Sequence, residues 1–169
     1  MSLFQELLGS DHRGTLEFFV VGLRDVSEST IDRHELLYNA SVLAHFAQVS
    51  TNADDELSTP ADLSVVYDRF ISRASAVHDS AAMEAAGAQC LVLAGFFEDQ
   101  MRRRHNIRWY AEMGGSFFKR AAAQEESAEK AQLLGAIASR FELWRQRYAR
   151  LSRELRDLRY LLCAPPAGR

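Results

Sequence analysis

The chain has little of what interrupts or cross-links a protein. Its 169 residues include three prolines, and two of them, Pro165 and Pro166, lie close to the end. Because proline ends or kinks helices, this scarcity favours long helices. Cysteine is also rare: Cys90 lies in an apolar stretch and Cys163 near the last residue. The first residues lack the basic and apolar segments of a secretory signal, so we expect unpaired thiols and a cytoplasmic protein.

Long apolar runs and common functional motifs are missing as well. The longest nearly apolar stretch, Ala85 to Phe97, has 13 residues and contains Gln89, so it predicts a buried helix and no membrane span. The chain has no Gly-rich phosphate loop after a strand, no nucleophile elbow, no His-Glu-x-x-His and no Cys-x-x-Cys. His34 and His45 would lie roughly 16 Å apart along a helix, too far to share one metal ion. We expect no metal and no cofactor.

Helical periodicity dominates what is present. Apolar residues recur at spacings of three and four, and Ser, Thr and Asp stand where helices would begin. These patterns predict helices over residues 3–8, 15–26, 33–51, 60–76, 81–103, 107–123 and 127–162. The third has candidate N-caps among residues 27–30, and Ser127 is expected to cap the last.

The predicted fold is all-α. We expect one irregular helical bundle over residues 1–163, with five to six main helices and a long C-terminal helix packed across it, followed by a short flexible tail at 164–169. No linker or low-complexity segment divides the chain.

Charge is distributed unevenly along the chain. Residues 1–101 carry 16 acidic and five basic side chains, whereas residues 102–169 carry seven acidic and 15 basic ones. The asymmetry is compatible with a basic surface for nucleic acid, and also with two halves of one bundle, or two chains, that attract each other. Because the net charge is −3, the second interpretation is favoured and nucleic-acid binding is the weaker one.

The polar side chains of the third predicted helix form a stripe. At about 100° per residue they fall within an arc of roughly 80°. The stripe would line a small-molecule pocket between helices, or it would form a hydrogen-bonded seam or face water, and the seam is favoured. Its members are His34, Tyr38, Ser41, His45 and Gln48.

A second polar face precedes the arginine run. Glu98, Arg102 and His105 share one helix face at spacings of four and three. With the neighbouring arginines and Trp109, they could bind a ligand, for example by clamping a phosphate or stacking on a base. The favoured alternative is helix-end chemistry, in which basic side chains complement the helix dipole and Glu98 pairs with Arg102.

The last predicted helix carries the candidates for partner binding. Its apolar stripe includes Trp144 and Tyr148, which would anchor an interface if the helix exposes them. Arg147 and Arg150 belong to a broad basic flank on the same helix. This flank is expected to be solvated or paired with acidic groups, with nonspecific nucleic-acid binding as the alternative.

Residues 91–122, LVLAGFFEDQMRRRHNIRWYAEMGGSFFKRAA, resemble a group of bacterial helical proteins. These share an apolar run with glycine and phenylalanine, an arginine cluster and a Tyr-x-x-Met-Gly-x-x-Phe helix. In this chain Tyr110, Met113, Gly114 and Phe117 match the last pattern. The resemblance covers about residues 88–122; it implies an all-helical single domain and brings no activity, ligand or catalytic residue with it.

Together these patterns predict a non-enzymatic helical interaction or regulatory protein that binds a protein partner or itself. A small-ligand-binding protein or a cryptic enzyme with a polar pocket between helices is the first alternative. Weak nonspecific binding of nucleic acid is the second.

Overall fold

A computed structural model describes residues 12–27, 30–52, 80–103 and 106–163, except for the side chains of residues 12, 48–52 and 157–163. Within these residues the predicted all-α fold is confirmed, with seven α-helices, one π-helical turn and no strand. The predicted helices at 3–8 and 60–76, and the tail at 164–169, lie outside the described residues. In chain order the elements are α1 (His12–Asp25), α2 (Arg33–Asn52), α3 (Ser80–Leu91), the π-turn (Val92–Phe96), α4 (Glu98–Arg102), α5 (Ile107–Gln124), α6 (Ala128–Ser139) and α7 (Phe141–Cys163).

Helices α1 and α2 pack on each other, and the second begins at an aspartate. Asp32 Oδ1 accepts hydrogen bonds from the backbone N–H groups of His34, at 2.9 Å, and Glu35, at 3.1 Å. This is the geometry of an N-cap, which satisfies donors that have no partner inside the helix. The predicted cap among residues 27–30 is therefore wrong, because the side chain that reaches these N–H groups lies directly before the first turn.

The helix predicted over residues 81–103 is divided by the π-turn. The Phe97 N–H donates to the carbonyl five residues earlier, at 3.1 Å, so the helix carries one extra residue in this turn. Gly95 lies directly against α7: a Cβ there would be 2.7 Å from Tyr148 Cβ and 3.0 Å from the Arg145 carbonyl oxygen. Periodicity does not reveal this interruption, because the close approach depends on another helix.

The last predicted helix is divided as well. Ser127 caps its start as predicted, since Oγ accepts from the Lys130 N–H at 3.5 Å, but α6 and α7 separate at Arg140. The Phe141 ring, at the start of α7, packs against Gly114 so closely that a Cβ on this glycine would overlap the ring. Together, the two divisions make the number of helices larger than the five to six expected.

The core lies between α3, α5 and α7, with α1, α2 and α6 around it. The apolar stripe predicted for the last helix is buried from Leu134 to Leu151. Cys90 is a free, buried thiol, and burial raises its pKa to about 12. The largest fully buried side chains are Trp144, Tyr148, Phe117, Phe118, Leu23, Met83, Leu91, Met101, Leu134, Ile137 and Val92. Burial of each of these stabilises the fold by about 1.5–3 kcal/mol relative to exposure.

Membrane crossing finds no support in the described part of the chain, where no helix combines the length and the apolar character that a bilayer span requires.

Candidate functional site

The polar stripe of α2 does not come together as one surface. The side chain of His34 is 84% exposed, and its Nδ1 lies 3.8 Å from the Asp32 carboxylate. Ser41 donates to the carbonyl one turn earlier in its own helix, at 2.7 Å, and His45 is exposed. The side chain of Gln48 lies outside the described residues. His34, Ser41 and His45 thus face water or their own helix.

Among the side chains of the stripe that the structure describes, Tyr38 reaches another helix. Its hydroxyl donates to Glu84 Oε1 in α3 at 2.9 Å, and Glu84 Oε2 lies 3.0 Å from Lys130 Nζ in α6. Lys130 Nζ is also 3.8 Å from Glu125. Burial, and then the charge of Glu84, raise the pKa of Tyr38 far above its usual range, so the phenol keeps its proton and remains a donor. We call these four residues the Lys130 network; it connects α2, α3 and α6.

Two polar side chains that are not among the predicted site residues join α2 to α7. The buried Glu35 carboxylate accepts from Arg140 Nε at 2.8 Å and from Trp144 Nε1 at 3.1 Å. Asn39, one turn later and fully buried, accepts from the Tyr148 hydroxyl at 2.8 Å. The hydrogen-bonded seam between these helices is therefore built from neighbours of the predicted stripe.

The sequence did contain a signal for this pair. Glu35 and Asn39 are four residues apart, and they lie in the row of buried positions that includes Leu36, Ala40 and Leu43. A polar side chain in a buried row requires a hydrogen-bond partner. Its partners lie more than a hundred residues further along the chain, which periodicity cannot identify.

The side chains predicted to bind a partner from the last helix are engaged within the molecule. Trp144 and Tyr148 are fully buried, so the exposure on which their role as anchors depended is not found. Arg147 is buried too, with its guanidinium carbon 4.5 Å from the centroid of the Trp144 ring. Arg150 donates to the Val26 carbonyl at 3.3 Å. The physical reason is that the apolar stripe of α7 is the side that packs on the core.

The predicted face at Glu98 and Arg102 is present. Arg102 Nη2 lies 2.6 Å from Glu98 Oε1, and the same oxygen accepts from Arg145 Nη1 of α7 at 3.1 Å. Burial acts to raise the pKa of Glu98, but the hydrogen bonds from Arg102 and Arg145 outweigh it, and the pKa lies below its usual value. His105, the third predicted member, lies outside the described residues. The face is thus a buried carboxylate between two guanidinium groups.

Arg145 links this carboxylate to the π-turn. Its Nη1 also donates to the Ala94 carbonyl at 3.2 Å, and its Nε and Nη2 donate to Glu142 at 2.8 and 2.6 Å. One side chain therefore bonds to the π-turn, to α4 and to its own helix. These four hydrogen bonds offset the cost of burying so long a basic side chain.

Two further arginines of α7 reach α4. Arg153 Nη1 lies 4.0 Å from Glu98 Oε2, and Arg156 Nη2 donates to Asp99 Oδ2. The hydrogen bond from Arg156 is the main reason that the pKa of Asp99 is lowered. The side chains of Arg102, Arg153 and Arg156 are 66%, 56% and 51% exposed. We call these three residues the arginine surface.

The exposed tryptophan is Trp109, in the first turn of α5. It is 40% exposed, and its ring meets that of buried Tyr110 edge to face, with centroids 5.7 Å apart. The helix start is capped, because the Asn106 side chain accepts from the Arg108 N–H at 3.1 Å. Trp109 is therefore an exposed aromatic side chain on a well-defined helical turn.

Metal ligands do not gather in the structure: among the residues it describes, no group of three or more His, Cys, Asp or Glu side chains is placed to hold a metal ion.

In comparisons with known proteins, no family model, no curated protein and no solved structure matches the chain.

Proposed function

We propose that this chain is a non-enzymatic interaction protein that binds a protein partner, or a second copy of itself, through a surface that includes Trp109. The observation that carries the proposal is the exposure of this tryptophan on a capped helix, with its ring held against Tyr110. Tryptophan offers a large apolar area with few rotatable bonds, and it is enriched among residues that dominate binding energy. A side chain that is already ordered loses little conformational entropy when a partner covers it.

The polar side chains between the helices support the non-enzymatic part of the proposal. Glu35, Glu98 and Tyr38 are residue types that often act as acids or bases, and each is hydrogen-bonded to a side chain of another helix. Charge-assisted hydrogen bonds from two arginines keep the Glu98 carboxylate ionised, which makes it a weak proton acceptor. These groups contribute to the stability of the bundle.

Binding studies on two matched variants test the proposal. Trp109→Ala removes the exposed aromatic side chain, and Leu143→Ala removes an apolar side chain of equal exposure from α7 (41%). Sedimentation velocity over a wide concentration range measures self-association, and quantitative affinity purification from the source cells measures capture of a partner. We expect Trp109→Ala to weaken one of these interactions by at least about tenfold, and Leu143→Ala to leave it unchanged.

The proposal fails if the wild-type chain stays monomeric at every concentration and retains no protein from the cells. It also fails if both variants weaken the interaction equally, because the effect would then reflect general apolar exposure. A native mass spectrum that shows a bound small molecule and no protein would instead favour the small-ligand alternative.

A further inference from the structure

The arginine surface consists of guanidinium groups that acidic side chains hold from the protein side. Glu98 lies 2.6 Å from Arg102 and 4.0 Å from Arg153, and Asp99 accepts from Arg156. Ordering a long basic side chain that is free in water costs about 2 kcal/mol in rotamer entropy. The ion pairs of these arginines have already met part of this cost. A ligand that binds these arginines therefore meets groups that are partly ordered before it arrives.

The balance of charge around the surface is positive. The ion pairs between α4 and α7, and within these helices, join four guanidinium groups to three carboxylates among the described residues. A guanidinium has five N–H donors, so an arginine held by one carboxylate retains donors for another anion. The guanidinium groups are those of Arg102, Arg145, Arg153 and Arg156, and the carboxylates are those of Glu98, Asp99 and Glu142.

The exposed carboxylates indicate which kind of anion fits. The side chains of Asp99 and Glu142 are 45% and 56% exposed, so negative charge is interspersed with the arginines. A nucleic-acid backbone presents a phosphate at every step and would meet these carboxylates with repulsion. A peptide can place acidic side chains against the arginines and neutral ones beside the carboxylates. Protein is therefore the better match.

We infer that the arginine surface is a docking site for an acidic segment of a protein partner, whose Asp or Glu carboxylates pair with Arg102, Arg153 and Arg156. The inference rests on the proposed function and adds the chemistry of the partner to it. Arginine suits this role because its planar fork binds a carboxylate through two parallel hydrogen bonds.

The test uses the full chain and a labelled peptide of alternating glutamate and serine, with binding followed by fluorescence anisotropy at low salt. The variant Arg153→Gln with Arg156→Gln removes two arginines from the surface. The control variant, Arg13→Gln with Arg120→Gln, removes two exposed arginines from α1 and α5 and so makes the same change in net charge. We expect the first variant to bind about tenfold more weakly than wild type, with the control unchanged.

Salt and fold are checked in the same experiment. Added salt should weaken binding to the wild type, because the interacting charges are partly exposed. Circular dichroism reports whether each variant is folded. If the glutamine variant is not folded, Arg153→Lys with Arg156→Lys takes its place; it keeps both charges but loses the paired hydrogen bonds, and it should also bind more weakly than the control variant.

Four results would overturn the inference. The first is absence of peptide binding to the wild type, and the second is an equal loss in both double variants, which would show an effect of net charge alone. The third is tighter binding of a single-stranded RNA of mixed sequence than of the acidic peptide. A partner whose capture requires Trp109 but is unaffected by Arg153→Gln with Arg156→Gln would overturn this inference and leave the proposed function in place.

Discussion

The guanidinium of Arg140 holds the buried carboxylate of Glu35 through two hydrogen bonds, one from Nε at 2.8 Å and one from Nη2. The two residues are 105 positions apart in the chain. Arg140 is also the single residue between α6 and α7, and Trp144, one turn into α7, donates to the same carboxylate. This contact therefore joins the start of α2 to the point where the chain changes direction between its last two helices.

Removal of Arg140 should destabilise the chain more than removal of an exposed arginine. Arg140→Met leaves the Glu35 carboxylate, whose side chain is 4% exposed, without the guanidinium that hydrogen-bonds to it. Loss of one partner of a buried pair costs 3–5 kcal/mol, and because Arg140 itself is half-exposed, we expect a decrease of about 2 kcal/mol in the free energy of unfolding. Urea denaturation measures this free energy. The control variant, Arg108→Met, removes an arginine from an exposed pair with Glu112 and should change the free energy of unfolding by less than about 0.5 kcal/mol. Equal decreases for the two variants would contradict the prediction.

Substitution of Gly95 should disturb the contact between the π-turn and α7. A Cβ at Gly95 would lie 2.7 Å from Tyr148 Cβ and 3.0 Å from a backbone oxygen, which cannot move away easily. We expect Gly95→Ala to lower the free energy of unfolding by about 2 kcal/mol, as overpacking does. Gly115→Ala is the matched control: its Cβ would have no neighbour closer than 3.7 Å, so alanine should be neutral or stabilise by up to about 1 kcal/mol. Thermal denaturation followed by circular dichroism compares them, and a neutral Gly95→Ala would contradict the packing described.

Stability should fall in acid because of Glu98. In the folded chain the pKa of this carboxyl lies below its usual 4.5; burial acts to raise it, and hydrogen bonds from Arg102 and Arg145 outweigh burial. The folded state then binds fewer protons than the unfolded state, so the stabilisation is complete above pH 4.5 and is lost as pH falls through the lower folded pKa. Urea denaturation from neutral pH to about pH 3 should show a shallower decrease for Glu98→Gln than for wild type. If the free energy of unfolding fell equally with pH in wild type and in Glu98→Gln, Glu98 would not contribute to the loss of stability in acid.

The Lys130 network should couple α3 to α6 energetically. Lys130 Nζ lies 3.0 Å from Glu84, and this hydrogen bond is the main reason that the pKa of Lys130 is raised. In a double-mutant cycle of Lys130→Met and Glu84→Gln, we expect a coupling free energy of about 0.5–1 kcal/mol, because Lys130 is half-exposed. The raised pKa means that this contribution persists at neutral pH and is lost only as pH rises through the folded pKa, above 10.5. If the effects of the two single substitutions on the free energy of unfolding add up to the effect of the double substitution, the predicted coupling is wrong.

Within the described residues, the positions of the undivided helices followed from local patterns with little error. The helix predicted at 107–123 is Ile107–Gln124, and the one predicted at 15–26 is His12–Asp25. Apolar spacing and capping residues act over one or two turns, so they are legible in a short window of sequence. Local patterns did not predict the divisions of two long helices. These divisions depend on contacts that Gly95 and Arg140 make with other helices.

The side chains of the candidate site were also predicted only as far as local patterns allow. Periodicity placed Trp144 and Tyr148 on the apolar stripe of the last helix, and both are buried there. Periodicity did not show that Trp109 would be the exposed tryptophan. It also did not show that Glu35 and Asn39 would accept the hydrogen bonds between α2 and α7.

Composition and spacing thus sufficed for the all-α class of the described residues, for the helices at 12–25, 33–52 and 107–124, and for the apolar side of the last helix, because each depends on residues that are close together in the sequence. The pairing of Glu35 with Arg140, the π-turn and the meeting of arginines around Glu98 required the packed bundle. Each of these depends on the distance and angle between helices that are far apart in the chain, and that geometry is set by the sum of many small packing contacts.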